Sequence, residues 1–156
     1  MAAHPRVDAP ARGSPAASHR PILLATLGVP FDERAAAFAV DAAVESGQPL
    51  IVANVVELPP LTMSVRMGYD QLADPPELAE ALLAPARLAH SLGVQVERLR
   101  VRSMHPLAAL LELAREREPG LLVFGPDRRR LRRSRYRKAA RAVSEAAPCL
   151  VWLAPP

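Results

Sequence analysis

Short apolar runs alternate with longer segments of mixed polarity along the 156 residues of the chain. Most of these runs are continuous and bounded by Gly or Pro, as is typical of strands buried on both faces of a sheet. One of them, Val94–Arg102, instead alternates apolar and polar residues, which predicts a half-exposed strand at a sheet edge. The five predicted strands are Pro21–Val29, Pro49–Leu58, Val94–Arg102, Leu121–Gly125 and Cys149–Leu153.

Four segments between these strands have the composition and the end signals of helices. Asp32 is a suitable cap for the first helix, which is rich in Ala and ends at Gly47. Pro85 lies inside the second helix and is expected to kink or split it. The four predicted helices are Asp32–Gly47, Pro75–Gly93, Pro106–Glu118 and Arg135–Ala146.

Strands and helices that alternate in this way predict an α/β fold, a three-layer doubly wound sandwich with a five-stranded parallel sheet. Ligands of such sheets bind beyond the carboxyl ends of the strands, where the strand order reverses. We expect Met1–His19 to be a disordered tail, because Ala, Pro, Ser and Gly dominate it, and residues 20–156 to form one domain. We also expect a long mobile connection over Pro59–Asp74, which has turn residues and no regular period.

Positive charge is concentrated in the last part of the chain. Residues 125–156 contain nine Lys and Arg against two Asp and Glu, whereas residues 21–124 contain eight against thirteen. The net charge of +4 therefore depends on one segment, the basic run Gly125–Arg141. A local positive field attracts anions, whereas spread charge mainly keeps a protein soluble. No apolar run approaches the ~20 residues of a membrane span, so we expect no membrane partner.

The basic run has two interpretations that its spacing leaves open. In the first, a helix begins near Arg132, and its N-terminus binds phosphate or another oxyanion together with the preceding arginines. In the second, the charges form a solvated helix face. Nucleic-acid backbones are also anionic, but Tyr136 is the one aromatic residue of the run, which is too few for a base-stacking platform. We therefore expect no physiological nucleic-acid partner.

Recognisable catalytic and metal-binding patterns are absent from the sequence. The serines lack the context of a nucleophile elbow, and neither a CxxC motif nor a Walker loop is present. His105 has no Cys, Asp or Glu at ligand spacing, so we expect no metal site. The single Cys149 cannot form an internal disulfide and is interpreted as a buried structural thiol, which points to the cytoplasm.

Four blocks of residues, in one order, resemble the universal stress protein family over Pro21–Leu153. The blocks are "ILLATLGVPFDERAAAFAVDAA", "LIVANVVE", "LGVQVERLRVRSMHPLAALLELAREREPGLLVFGP" and "VSEAAPCLVWL". The resemblance implies a strand order of 3-2-1-4-5, with the reversal between strands one and four. It also implies a homodimer that pairs through the last strand. The residues expected at that interface are Cys149, Leu150, Val151, Trp152 and Leu153.

Many members of that family bind ATP at this reversal. They use an acid at the end of strand one and a G-x2-G-x9-G-[ST] loop after strand four, whose glycines let phosphate approach backbone N–H groups. In this chain Leu27 stands at the acid position and Gly125 at the first glycine position. The remaining loop positions hold Arg128, Lys138 and Ala139. We therefore expect the usual ATP-binding mode to be lost and no cofactor to be required.

The predicted function is that of a stress-response and signalling binding module, homodimeric and not an enzyme. One alternative is a nucleotide or phosphate ligand held by arginines in place of the glycine loop, and another is a polyanion- or nucleic-acid-binding accessory role. A third is slow ATP hydrolysis, for which Asp127 is the one obvious acid to orient water. The residues expected to line the crevice are Thr26, Leu27, Gly28, Val55, Gly125, Arg128, Arg129, Lys138 and Ala139.

The charge of the basic run predicts electrostatic binding of polyanions. Retention of the protein on heparin should fall steeply as salt rises, because the interaction is screened and releases counterions. A variant with Arg129, Arg130, Arg132 and Arg133 all replaced by Ser should elute at clearly lower salt. Unchanged retention of that variant would show that binding occurs elsewhere.

Overall fold

The computed structural model describes residues 19–59 and 74–156, and the structural statements below concern these residues. The predicted tail Met1–His19 lies outside them except for His19 itself. The predicted connection Pro59–Asp74 lies outside them except for its two end residues. The expectations for these two segments therefore stay predictions.

Strands and helices alternate throughout the described residues. Each observed element coincides with a predicted one to within a few residues at its ends. The strands are β1 (Ile22–Thr26), β2 (Leu50–Glu57), β3 (Val96–Ser103), β4 (Leu121–Phe124) and β5 (Leu150–Leu153). The helices are α1 (Glu33–Ser46), α2 (Pro76–Ser91), α3 (Pro106–Arg117) and α4 (Arg133–Ala146).

Neighbouring strands pair in parallel, in the order β3-β2-β1-β4-β5. The predicted fold class and strand order are therefore confirmed. β1 lies at the centre, with Thr26 opposite Asn54 of β2 and Ala25 opposite Phe124 of β4. Because β2 lies on one side of β1 and β4 on the other, the reversal of strand order falls beyond the carboxyl end of β1.

The sheet separates two apolar cores, because successive side chains of a strand point to opposite faces. One core contains Leu23 and Ala25 of β1 together with residues of α3 and α4. The other contains Ile22 and Leu24 together with residues of α1 and α2. All five β1 residues are buried, which explains why this strand is apolar throughout instead of alternating.

Local signals set the ends of α1 as the sequence predicts. The carboxylate of Asp32 accepts hydrogen bonds from the N–H groups of Arg34 and Ala35, and Gly47 ends the helix with a φ of 67°. In α2, Pro85 is buried and the helix continues through it. Pro85 therefore does not split the helix, which was one of the two expected outcomes.

β3 and β5 are the edges of the sheet. The side chains of β3 are exposed or half-buried at every position, in agreement with the edge position predicted from its alternating sequence. At the other edge, Leu150 of β5 is 74% exposed. Trp152 of β5 stacks on Phe38 of α1, with ring centroids 4.4 Å apart and planes 9° from parallel. This aromatic pair fastens the edge strand to α1.

Candidate functional site

Two buried polar side chains hold the turn that follows β1. The hydroxyl of Thr26 donates to the carbonyl of Val29 at 2.8 Å, and the N–H of Gly28 donates to Oδ1 of Asn54 at 2.9 Å. Gly28 has a φ of 70°, a left-handed conformation that glycine adopts with little strain. Two of the predicted crevice residues, Thr26 and Gly28, are thus held by contacts within the protein.

Leu27 is buried at the position where the family resemblance places an acid. It is 4% exposed and belongs to the core between the sheet and helices α3 and α4, which also contains the fully buried Val55 of β2. An aliphatic side chain can neither accept a hydrogen bond nor balance a positive charge. At the end of β1, Leu27 therefore packs into the core, whereas the resemblance expects an acid that contacts the ligand.

Gly125 is required by the packing of α1. A Cβ atom at residue 125 would lie 2.5 Å from the Cβ of Ala35, closer than two such atoms can approach. The N–H of Gly125 donates to the carbonyl of Ala25, and its carbonyl accepts from the N–H of Asp32, both at 2.9 Å. The glycine thus serves the contact between helix and sheet, whether or not a ligand is present.

Asp127 closes a tight turn at the start of the basic run. Its N–H donates to the carbonyl of Pro30 at 2.8 Å, and its carbonyl accepts from the N–H groups of Arg130 and Leu131 at 3.0 and 3.1 Å. Its carboxylate accepts from the N–H of Arg129 at 3.0 Å. Four backbone N–H groups of this turn are therefore already hydrogen-bonded. A phosphate-binding loop needs such groups to be free.

Arg128 lies against the protein. Its guanidinium carbon is 4.2 Å from the centre of the Tyr136 ring, within the range of a cation–π interaction. Tyr136 is buried and stacks on Phe124 at a centroid distance of 5.9 Å. Arg128 is thus held over an aromatic pair on the α4 side of the sheet.

The other predicted residues of the basic run point in different directions. The side chain of Arg129 is 92% exposed, with Nε 3.9 Å from Oδ1 of Asp127. Lys138 and Ala139 lie in the second turn of α4, because the helix already begins at Arg133. Ala139 is buried in the core, whereas Lys138 is exposed on the outer face of the helix. The family spacing therefore falls on a helix here, where the resemblance expects a loop.

A cavity of about 400 Å³ opens beside the turn after β1. Gly28, Val29 and Pro30 form one wall, the beginning of α2 forms another, and Arg130 borders it. Of the residues predicted to line the crevice, Gly28 alone is found among the described lining residues of this cavity. The structure thus brings Arg130, rather than Arg128 or Lys138, to the end of β1.

Asn54 is the residue of this region that the sequence interpretation missed. It is 5% exposed and lies on β2, the strand beside β1. Its Oδ1 fixes Gly28, and its Nδ2 has no acceptor among the described residues. The available signal was a lone amide within the apolar run "LIVANVVE", since a polar side chain buried in a sheet needs a specific partner.

Cys149 is the one cysteine of the chain, and it is half-buried. Burial raises the pKa of the half-buried Cys149 thiol, and a backbone hydrogen bond at Leu122 opposes that shift. A raised pKa leaves less of the reactive thiolate at neutral pH. Residues 19–59 and 74–156 contain no group of three His, Cys, Asp or Glu side chains able to hold a metal ion. The helices in these ranges are all too short or too polar to cross a membrane.

A parallel sheet with this strand order and helices on both faces defines a doubly wound α/β protein. Residues 18–155 match the model of the Universal stress protein family. The chain therefore belongs to the universal stress protein family. No curated protein sequence matches it significantly.

Solved structures of universal stress proteins have the same fold. The protein from Archaeoglobus fulgidus is 22% identical, with a TM-score of 0.60 over 86% of this chain and 92% of its own. The structure of the universal stress protein from Archaeoglobus fulgidus in complex with dAMP is also 22% identical, with a TM-score of 0.60 over 86% of this chain and 96% of its own. A universal stress protein in complex with cAMP is 19% identical, with a TM-score of 0.59 over 87% of this chain and 96% of its own.

The packing at Gly125 leads to a stability prediction. Replacing Gly125 by Ala should lower the free energy of unfolding by about 1–3 kcal/mol, as is usual for an overpacked core. The measurement is urea denaturation of the wild type, Gly125→Ala, Ala35→Gly and the double variant. The double variant should be more stable than the two single losses together predict, because Ala35→Gly removes the atom that clashes. Strictly additive losses, or an unaffected Gly125→Ala protein, would contradict this account of the glycine.

Proposed function

We propose that this chain is a non-enzymatic binding and signalling module in the stress response, which acts in the cytoplasm as a homodimer. Its crevice at the end of β1 does not hold ATP in the manner that the family motif describes. Three features support this proposal: the hydrogen-bonded turn after β4, the buried Leu27, and the position of Arg128 over Tyr136. The first feature carries most of the argument.

The turn after β4 has little capacity left for phosphate. Pro126 has no N–H, and the N–H groups of residues 127, 129, 130 and 131 donate to Pro30 or Asp127. A phosphate oxygen that bound these N–H groups would have to displace bonds already made, and the displaced oxygens of Pro30 and Asp127 would lose their donors. The same contacts give Asp127 a role as turn cap, so it is poorly placed to orient water for hydrolysis.

A second candidate function is the binding of a nucleotide or another phosphate-bearing ligand through the arginines. Relatives of this fold are described in complex with dAMP and cAMP. In the described residues, Arg132 at the start of α4 provides no side-chain cap, so the first N–H groups of the helix are available to an anion. Arg130 borders the cavity beside Gly28. These observations favour an anion near the start of α4. They do not supply the free backbone N–H groups that the family's glycine loop offers to phosphate.

The homodimer is proposed at the β5 edge. Among the described residues, β5 pairs with β4 on one side and with no strand on the other. Its exposed Leu150 and the neighbouring ring pair Phe38 and Trp152 form an apolar surface beside that open edge. An unpaired apolar edge favours pairing with a second copy, and a two-fold axis would make the contact antiparallel.

The hydrogen-bonded turn predicts weak ATP binding. Calorimetric titration of the purified protein with ATP should show millimolar affinity or no binding at all. Native mass spectrometry of freshly purified protein should show no retained nucleotide. A micromolar dissociation constant for ATP would contradict the proposal.

Two single variants distinguish the two candidate functions. Arg130→Gly removes the side chain that borders the cavity beside Gly28, and Arg129→Gly is its control in the same turn, because Arg129 is 92% exposed and lies outside that lining. If arginines hold a phosphate-bearing ligand there, Arg130→Gly should weaken nucleotide binding and Arg129→Gly should change it little. If the crevice holds no such ligand, neither variant should change the affinity for nucleotide.

The dimer proposal predicts that proline in β5 disrupts association. Proline removes a backbone donor while it keeps much of the apolar volume. Since successive N–H groups of a strand point to opposite edges, Val151→Pro and Leu150→Pro form a matched pair, in which one variant loses an inner bond and the other an outer bond. Sedimentation equilibrium should show a dimeric wild type and at least one folded, monomeric variant. A monomeric wild type at tens of micromolar, or folded variants that both stay dimeric, would exclude this interface.

A further inference from the structure

A second and larger cavity, of about 610 Å³, lies between α2 and the two strands β2 and β3. Val52 and Val96 from the sheet, Phe31 before α1, and Leu82 and Leu83 of α2 give it apolar walls. Its volume is in the range that holds small organic ligands. None of the residues that the family motif assigns to ATP is among the described residues of its lining.

Asn54 gives this cavity an unsatisfied hydrogen-bond donor. Asn54 lines the cavity and is 5% exposed. The N–H of Gly28 fixes the orientation of the amide, because it must face an oxygen and therefore assigns Oδ1. The other end of the amide, Nδ2, is buried and has no acceptor among the described residues. A buried donor without an acceptor lowers the stability of the folded protein. An acceptor on a bound ligand would remove that loss.

The polar part of the lining is concentrated beside Asn54. Arg100 of β3 is directly opposite Asn54 of β2, and Arg98 is opposite Val52. One terminal nitrogen of Arg100 donates to Oδ1 of Asp74 at 3.0 Å, which balances its charge. Glu97 bonds Arg117 of α3 at 2.7 Å, on the other face of the sheet. Among the described lining residues, Arg98 therefore supplies the net positive charge.

We propose that this cavity binds a small amphipathic monocarboxylic acid. Its carboxylate accepts a hydrogen bond from Nδ2 of Asn54 and is neutralised by Arg98, while its hydrocarbon part lies against Val52, Leu82 and Leu83. Charge-assisted hydrogen bonds to a carboxylate are among the stronger contacts available to a ligand. Once the ion pairs Arg100–Asp74 and Glu97–Arg117 are set aside, Arg98 leaves one positive charge at the lining. This charge suits one negative charge and leaves a phosphate dianion incompletely neutralised.

The binding test uses ligands that share one hydrocarbon tail. Octanoate, octanol and octyl phosphate are titrated into the full chain by calorimetry, and inorganic phosphate is the probe without a tail. Octanoate should bind at least tenfold more tightly than octanol and more tightly than octyl phosphate, and inorganic phosphate should not displace bound octanoate. Equal affinity for octanoate and octanol would overturn the role of Asn54 and Arg98. Tighter binding of octyl phosphate would overturn the assignment to carboxylates.

A second measurement locates the bound acid. In ¹H–¹⁵N spectra of the full chain, octanoate should shift the side-chain NH2 signal of Asn54, because that donor gains its acceptor. Asn54→Asp keeps an oxygen for the N–H of Gly28 but replaces the donor by a negative oxygen, so octanoate affinity should fall at least tenfold. An Asn54 signal that is unaffected at saturating octanoate would overturn the site.

Two matched pairs keep the proposal testable if Asn54→Asp does not fold. Arg98→Gln should weaken octanoate binding severalfold, whereas Arg87→Gln, an exposed position of α2 outside the lining, should not. Ala79→Leu fills the cavity and should abolish binding, whereas Ala84→Leu, on the exposed side of the same helix, should leave it intact. Octanoate affinity that is unchanged in both Arg98→Gln and Ala79→Leu would place the acid elsewhere.

Discussion

The close approach of α1 to the end of β4 determines the geometry of the crevice. Ala35 occupies the space that a side chain at residue 125 would need, so the helix can lie this close to the sheet only against glycine. The same approach lets the carbonyl of Pro30 accept a hydrogen bond from Asp127 and places Phe31 opposite Pro126. The loops after β1 and β4 thus form one unit, and core packing sets the position of the basic turn.

The arginines that follow this unit are separated rather than gathered. Arg128 lies over an aromatic ring, Arg129 extends into solvent, Arg130 borders the cavity beside Gly28, and Arg135 bonds Glu57 at 3.0 Å. Separation lowers the repulsion between like charges. A segment arranged in this way presents positive charge on several surfaces at once and gives no single point where all of its guanidinium groups meet.

Short apolar runs, separated by longer segments of mixed polarity, were sufficient to predict the elements and the fold class. Helix-capping signals such as Asp32 and Gly47 were also reliable, because their contacts lie within a few residues. The strand order came from the family resemblance, since periodicity does not say which strands are neighbours. The start of α4 was harder to place, because a run of arginines favours a helix without marking where it begins.

The residues that matter most in the two cavities depend on contacts distant in sequence. Asn54 acquires its role because parallel pairing sets β2 beside the end of β1, and Gly28 meets its amide only in the folded sheet. Arg98 and Arg100 were read as the polar positions of an edge strand. Their place beside a cavity depends on α2, which covers that face of β3. Sequence patterns report burial well, but they do not report which buried group lacks a partner.

The central position of β1 also has a consequence for the order of folding. Ile22 is paired with Leu50 on one side and with Leu121 on the other, so its second neighbour is synthesised roughly a hundred residues after it, a separation that slows folding. During synthesis, β1, β2 and β3 can associate while one edge of the most apolar strand is still open. Until β4 pairs with β1, the unpaired edge of this apolar strand is a place where the nascent chain can associate with other chains.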